Sequence, residues 1–280
     1  MNLLMKIYNN RRKIVKVLIT FLVVLALIEL IVIISGKSVK YIGPKYEKVD
    51  IEEIINKQVL SDDDYEVLYK QTGLTKLGIN RCLNNGANGK KRILEIQESY
   101  FYNYTVVTDF STPYMFSSYL DKAIKYCYLN KGDVIVGTST NLLLSRLGHA
   151  GLVVDALKET FLQAYTIGTT SSIGYISDFT DRTTFVILQP KISDDEKNRI
   201  VDYAVNNLID LKYSPFTGIF TSKKKINPTQ CAHIVWSAYK EFGYDIDGNG
   251  GGLIIPSDIL KSNLFDVVQI FGYDLKKRWN

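Results

Sequence analysis

The chain has few of the residues that build disulfide frameworks and metal sites. Its 280 residues include only three cysteines, Cys82, Cys127 and Cys231, and two histidines, His149 and His233. The cysteines are odd in number and far apart, which argues against a disulfide scaffold and against a CxxC metal site. Two histidines are also too few to suggest a structural zinc site. We therefore expect neither a metal nor a cofactor.

Positive charge is in excess only at the N-terminus. The net charge is +5, and five basic residues precede residue 17, which leaves 29 basic and 29 acidic residues in the remainder. That neutral remainder lacks the basic face that nucleic-acid binding requires, so no nucleic-acid partner is expected. A hydrophobic content of 46% with 22% charged residues is typical of a globular chain rather than a disordered one.

An apolar run, residues 17–34, follows the basic cluster and is interrupted only by Thr20 and Glu29. It is long enough to cross most of a bilayer, and the positive-inside rule puts the N-terminus in the cytoplasm. A cleaved signal peptide is the alternative, but the run is long for one and no small-x-small cleavage site follows it. We expect a single-pass protein of the cell membrane, with a cytoplasmic tail (1–16), a transmembrane anchor (17–34), a polar tether (35–49) and the remainder outside the cell.

The next stretch, 50–130, favours helices and is predicted to be a helical lead-in or cap. Ser61, followed by three aspartates, is typical of a helix N-cap with acids in the first turn, and Gly73 marks the end of that helix. Helical patterns recur around 77–83 and 91–101. Nothing in this region resembles a catalytic constellation.

The last stretch, 131–280, begins with a pattern of strands. Five strands are predicted, the second and third forming a hairpin: 133–137, 148–155, 160–165, 174–176 and 184–188. A helix follows Ser193, and another carries Cys231, with Thr229 as its N-cap and an end near Gly243. Helices, then an antiparallel sheet, then helices predict an α+β fold with the sheet packed on helices.

Cys231 lies in the first turn of its helix. The partial positive charge of a helix N-terminus favours a thiolate over a thiol, which is the environment of a nucleophilic cysteine. A buried structural cysteine on a core helix is the other interpretation. Helix position alone leaves both open.

His149 is the candidate base for that thiol. It opens a strand between small residues that leave space around its ring, although a surface histidine at a strand end fits the same pattern. His233 is two residues from Cys231, and side chains at i and i+2 of a helix point to different sides. His233 is therefore expected to be structural.

Two further polar residues complete the candidate site. In the predicted hairpin, Gln163 lies on the strand next to His149, where its amide can orient the imidazole; Glu159 is the rival but lies in the turn. The Cys231 backbone N–H and the Tyr213 hydroxyl are the candidate oxyanion donors. Ordinary strand or loop packing explains Gln163 or Tyr213 equally well when each is taken alone.

The segment 245–250 matches the first half of an EF-hand calcium loop. Counting from Asp245, the twelfth position is Pro256, which has no carboxylate to bind calcium. A glycine-rich surface loop is the preferred interpretation.

Several short motifs occur in a fixed order along the chain. They are Gly132-Asp133-Val134-Ile135, His149-Ala150-Gly151-Leu152-Val153-Val154, Phe161-Leu162-Gln163-Ala164, Tyr213, Cys231-Ala232-His233-Ile234-Val235 and Ile255-Pro256-Ser257-Asp258-Ile259-Leu260. Ser61-Asp62-Asp63-Asp64-Tyr65 and Gln71-Thr72-Gly73-Leu74 precede them. Over residues 58–265 the chain resembles the permuted papain-like cysteine amidases of the NlpC type, in the YaeF/YiiX-like branch, where the cysteine helix follows the histidine strands.

The resemblance implies a circularly permuted papain-like fold, with Cys231 as nucleophile, His149 as base, Gln163 as third polar residue and Tyr213 lining the site. Two positions depart from the family pattern. The residue after the cysteine is often serine and is Ala232 here, and the third polar residue is often glutamate. An amide at that position orients the ring but adds no charge that would stabilise an imidazolium.

The expected function is that of a membrane-anchored cysteine hydrolase, with residues 131–280 as its catalytic domain. It would cleave an amide bond through a thioester intermediate. An extracellular location points to cell-wall peptide as the substrate, and the family also implies lipid or acyl amides, including acyl transfer. A catalytically inactive, anchored binding module is the alternative of a different class.

Overall fold

The computed structural model describes residues 2–35, 41–112, 115–142 and 145–273. Part of the predicted tether, 35–49, therefore lies outside the described residues, as do the last seven residues of the chain. Within the N-terminal helix, side chains are described for residues 11–27 and for Leu30; that of Glu29 is not among them.

The N-terminal helix, α1 (Asn2–Ser35), does not bear out the predicted transmembrane anchor over 17–34. In the described part of the chain, no helix combines the length and the apolar character that crossing a bilayer requires.

Four helices form the lead-in: α2 (Glu52–Ile55), α3 (Asp62–Thr72), α4 (Lys76–Leu83) and α5 (Gly86–Tyr100). The predicted start of α3 is confirmed, because the Ser61 side chain accepts from the Asp64 N–H while the Asp64 carboxylate accepts from the Ser61 N–H. Gly73 ends α3 in the left-handed conformation, with φ 71°. A Cβ there would lie 2.0 Å from the carbonyl oxygen of Ile270, so only glycine fits.

The described residues form one antiparallel sheet of eight strands. The strands are β1 (Val106–Thr112), β2 (Met115–Leu120), β3 (Val134–Leu142), β4 (Ser145–Asp155), β5 (Thr160–Gln163), β6 (Ser172–Tyr175), β7 (Phe185–Pro190) and β8 (Phe265–Phe271), with a short helix, α6 (Ser177–Thr180), before β7. The order is β1-β2-β3-β4-β5-β6, and β7 pairs with both β3 and β8. The sheet begins earlier than predicted, since β1 and β2 lie within the stretch 50–130 that was expected to be helical.

Three helices follow or flank the last strands: α7 (Asp194–Asn207), α8 (Cys231–Glu241) and α9 (Pro256–Ile259). Ser193 caps α7 as predicted, with the Glu196 side chain completing a capping box. The predicted N-cap of α8 is wrong by one residue: Gln230, not Thr229, is the N-cap, and its side chain accepts from the Ala232 N–H.

Both faces of the sheet are covered. On one face, Ala150 and Leu152 of β4 belong to a hydrophobic cluster with Ala232, Ile234 and Val235 of α8. On the other, strand residues such as Ile135 and Val153 belong to a second cluster with side chains of the lead-in helices, including Leu68, Ile79 and Ile93. The architecture is therefore α+β, with an antiparallel sheet between two layers of helices. The alternation of side chains along β4 decides which of its residues faces which layer.

Candidate functional site

A chain of hydrogen bonds holds the imidazole of His149. Nε2 of His149 lies 2.6 Å from Oε1 of Gln163, and Nε2 of Gln163 donates to Oδ2 of Asp178 at 3.1 Å. The carboxylate of Asp178 accepts from the amide nitrogen and so turns the amide oxygen toward the ring. Because that oxygen can only accept, Nε2 of a neutral His149 carries the proton and Nδ1 carries the lone pair.

Gly174 leaves the space that the Gln163 amide occupies. A Cβ at position 174 would lie 2.2 Å from Nε2 of Gln163 and 3.0 Å from the Asp178 carboxylate. Gly174 lies on β6, directly opposite Phe161 of β5. The predicted hairpin of β4 and β5 is present, with Leu152 opposite Leu162, so the neighbouring strands deliver His149 and Gln163 to the same place.

Aromatic side chains enclose the His149 ring. Phe179 stacks on it with a centroid distance of 5.1 Å and an interplanar angle of 20°, and Tyr165 meets it edge-on at 5.5 Å. Burial lowers the pKa of His149 to about 4; the hydrogen bond to Gln163 opposes this shift, and the nearby charge of Arg182 adds to it. The imidazole is therefore neutral at pH 7, in the state of a base that can accept a proton.

The sulfur of Cys231 is seated against the backbone on both sides of His149. It lies 3.8 Å from the carbonyl oxygen of Gly148, and the backbone N–H of Ala150 is close enough to lower the pKa of the thiol. In an extended strand, the C=O of residue i−1 and the N–H of residue i+1 point to the same side. The sulfur thus takes the lateral position that a neighbouring strand would otherwise fill beside His149.

The Cys231 sulfur lies beside the backbone that flanks His149, yet the sulfur and the imidazole approach β4 from different sides. Ala150 packs toward α8, whereas the ring of His149 packs on Phe179 in the cluster on the other face. Within the described residues, no hydrogen bond joins the Cys231 thiol to the His149 ring, and Nδ1 of that ring has no hydrogen-bond partner. The thiol also lies 3.5 Å from Oε1 of Gln230, the N-cap of its own helix.

Burial, rather than the helix N-terminus, decides the charge of Cys231. The side chain is 7% exposed, and its burial raises the pKa of the thiol to about 11. The backbone N–H groups of Ala150, Ala232 and Cys231 lower that pKa, but their sum is the smaller effect. The expectation of a thiolate at the helix N-terminus is therefore corrected: with this degree of desolvation the resting group is a neutral thiol.

Tyr213 lies near the sulfur, and Glu159 does not reach the imidazole. Two causes raise the pKa of Tyr213: the larger is its burial, and the smaller is the negative charge that Cys231 would carry as a thiolate. Glu159 instead lies close enough to Tyr126 to raise the pKa of that phenol. Of the two candidates for orienting His149, only Gln163 contacts it.

His233 is buried, and both of its ring nitrogens form hydrogen bonds. Nδ1 pairs with the Thr229 hydroxyl at 2.9 Å, and Nε2 pairs with the Lys223 carbonyl oxygen at 2.8 Å. The ring also stacks on Trp236 with a centroid distance of 5.6 Å. These contacts fix the loop before α8 and fit the structural role expected for His233.

The EF-hand-like segment holds a lysine side chain. The ammonium of Lys223 contacts the Asp247 carboxylate and lies 2.9 Å from the Gly251 carbonyl oxygen. Across the described residues, no three side chains of histidine, cysteine, aspartate or glutamate are grouped to hold a metal ion. A lysine charge thus satisfies the acceptors that a calcium ion would need in an EF-hand.

Sequence reasoning missed two residues of the site. Asp178 lies fifteen residues beyond Gln163 and shortly after β6, which was predicted at 174–176 and is found at Ser172–Tyr175. No sequence motif marks Asp178. Gln230 precedes Cys231 directly, but glutamine is an uncommon N-cap, so the preceding threonine was favoured.

Comparison with family models, with curated proteins and with solved structures finds no match for this chain.

Proposed function

We propose that this protein is a cysteine hydrolase that cleaves an amide bond through a thioester intermediate. Nδ1 of His149 takes the proton of the Cys231 thiol as the sulfur attacks the substrate carbonyl carbon. The leaving amine then takes that proton, and the acyl group remains on the sulfur. Water attacks the thioester, Nδ1 of His149 accepts a proton from it, and the carboxylic acid leaves as the thiol re-forms.

One observation carries the proposal: the bond from His149 to Gln163 leaves Nδ1 as the unprotonated nitrogen, next to the strand position where the Cys231 sulfur lies. Here Asp178 fixes the Gln163 amide, which in turn fixes the tautomer of the base. The resemblance to the NlpC-type amidases assigns Cys231, His149 and Gln163 the roles of nucleophile, base and third polar residue.

The resting pair is neutral, so proton transfer accompanies the attack rather than preceding it. A thiol with a pKa of about 11 and an imidazole with a pKa of about 4 do not form an ion pair in the unliganded state. For this transfer the Cys231 sulfur must leave its contact with the Gly148 carbonyl oxygen and come within hydrogen-bond reach of Nδ1 of His149. The oxyanion then meets the Cys231 N–H and the Tyr213 hydroxyl.

The loop before α8 favours an acyl substrate over a polar peptide. Phe216, Ile219 and Phe220 are half or more exposed on it, with Phe220 at 80%. The loop folds back onto the segment that leads to Cys231, because the N–H of Ser214 donates to the Thr229 carbonyl at 2.8 Å. Exposed apolar side chains grouped in this way are typical of a surface that contacts an apolar ligand. Acyl amides are accordingly the first substrate class to test, and cell-wall peptide the second.

The test is turnover by the full chain. Wild type, Cys231→Ala and Cys231→Ser are incubated with N-acyl amides of graded chain length and with muropeptides, and products are read by mass spectrometry. Hydrolysis by wild type with none by Cys231→Ala supports the proposal. Equal product from wild type and Cys231→Ala refutes it, because the thiol is then not the nucleophile.

A binding module on the same fold is the alternative. It predicts that Cys231→Ala binds acyl amides as tightly as wild type does and that neither turns them over. The double measurement of binding and turnover on the same two proteins separates the alternatives.

A further inference from the structure

Two cysteines that are far apart in the sequence meet in the core. Sγ of Cys82, on α4, lies 3.4 Å from Sγ of Cys127, in the segment that precedes β3. Both side chains are fully buried and neither is bonded covalently. Because the two cysteines are 45 residues apart, their spacing in the sequence does not indicate that they form a pair.

We propose that Cys82 and Cys127 form an intramolecular disulfide when the chain folds in the presence of a low-molecular-weight disulfide. One cysteine thiolate attacks the reagent, and one molecule of reduced thiol leaves. The second cysteine thiolate attacks the resulting mixed disulfide at the protein sulfur, and a second reduced thiol leaves. Two protein thiols are thereby oxidised, one reagent disulfide is reduced, and two thiol products carry the protons away.

The surroundings favour this pair over the other two pairings. Two contacts hold Cys127 in place: Oε1 of Gln269 accepts from its backbone N–H at 2.6 Å, and its Sγ lies 3.5 Å from the Gly78 carbonyl oxygen. Cys82 and Cys127 belong to the hydrophobic cluster of the lead-in helices, whereas Cys231 lies beside Gly148 at the start of α8. To form the bond, the two sulfur atoms must close from 3.4 Å to about 2.05 Å.

The bond would fasten the lead-in to the sheet. α4 packs against β8 through Thr75, whose hydroxyl donates to the Val268 carbonyl, and the disulfide would add a covalent tie on the same side of the sheet. Because both sulfurs are buried, reagent reaches them while the lead-in helices are undocked. Oxidation is therefore expected to be fast during refolding and slow in the folded protein.

The test uses the full chain refolded from denaturant with oxidised glutathione. The denatured product is alkylated and its tryptic peptides are mapped without reduction. The expected result is a peptide linked through Cys82 and Cys127 with an alkylated Cys231, and the same linked peptide in a Cys231→Ala variant. A raised midpoint of urea unfolding for the oxidised over the reduced protein is also expected.

Two results would overturn the inference. One is a linked peptide that contains Cys231; the other is the recovery of all three cysteines as alkylated or glutathione-bearing peptides. Both readings come from wild-type protein, so they do not depend on a variant that folds poorly. Neither depends on whether the protein hydrolyses amides, because the pair is outside the candidate site.

Discussion

The amide of Gln163 stands between two polar groups, 2.6 Å from Nε2 of His149 and 3.1 Å from the carboxylate of Asp178. This arrangement gives the imidazole one tautomer and one orientation without placing a carboxylate on it. The base is thus oriented, yet burial keeps its pKa low, because the uncharged amide offsets only part of the desolvation of the imidazolium. Several measurable consequences depend on this relationship.

Replacing Gln163 with leucine should lower kcat by about 10²-fold, because the imidazole loses the group that fixes its tautomer. Asp178 would also lose the amide donor that it now accepts from. Glu159→Gln is the matched control, since Glu159 is close in sequence but lies near Tyr126 rather than in contact with the imidazole. Its activity should remain within about twofold of wild type. Comparable losses in the two variants would show that the Gln163 contact has no special role.

The buried His149 should make the protein less stable in acid. Its pKa is about 4 in the folded chain and 6.5 as the ordinary value, so the unfolded chain binds the proton first as pH falls. The contribution is constant above pH 6.5 and is lost between about pH 6.5 and 4, to a total of about 3 kcal/mol. His149→Gln keeps a donor for Gln163 and does not titrate. Urea unfolding of both proteins between pH 4 and 7.5 should show the gap closing in acid; parallel curves would contradict a neutral, buried imidazole.

Alkylation of Cys231 should be slow at neutral pH and should rise far into the alkaline range. The raised pKa of about 11 implies that little thiolate exists at pH 7. Iodoacetamide rates, resolved for the Cys231 peptide by mass spectrometry, should still be increasing at about pH 10, where free cysteine has levelled off. A plateau below pH 8 would instead mean a preformed thiolate and would overturn the assignment of a neutral pair.

The ion pair between Arg81 and Asp133 should be the costliest polar contact to break between the lead-in and the sheet. Asp133 is fully buried, and Nη1 of Arg81 lies 2.5 Å from it. Arg81→Met leaves that carboxylate without its partner and should cost about 3–5 kcal/mol in urea unfolding. Lys76→Met removes an exposed pair with Asp62 and should cost no more than about 1 kcal/mol. Equal costs would mean that the buried pair is not desolvated.

Local signals in the sequence predicted many of the helices and strands. Serine followed by acids marked the starts of α3 and α7, and runs of residues that favour strands, separated by a short turn, marked β4 and β5. The strands β1 and β2 were missed because their residues are mixed polar and aromatic; β1 pairs with β2, and β2 pairs with β3. Strands that depend on such pairing leave little trace in a local pattern of apolar residues.

Part of the candidate site was also predictable from local sequence signals. The hairpin placed Gln163 beside His149, since antiparallel strands joined by a short turn bring residues on neighbouring strands together. The charge of Cys231 was not predictable, because desolvation depends on how fully the rest of the chain covers it. The transmembrane helix expected over 17–34 was wrong, and the extracellular location that it implied stays a prediction without a structural test.

The most direct test of the central claim is acylation of Cys231 itself. Wild type and His149→Gln are mixed with p-nitrophenyl butyrate, quenched in acid at intervals, and mapped by peptide mass spectrometry. The account predicts a butyryl group on Cys231 that forms in wild type and forms about 10²-fold more slowly in His149→Gln. Acylation at the same rate in both proteins, or at other residues with none on Cys231, would contradict it.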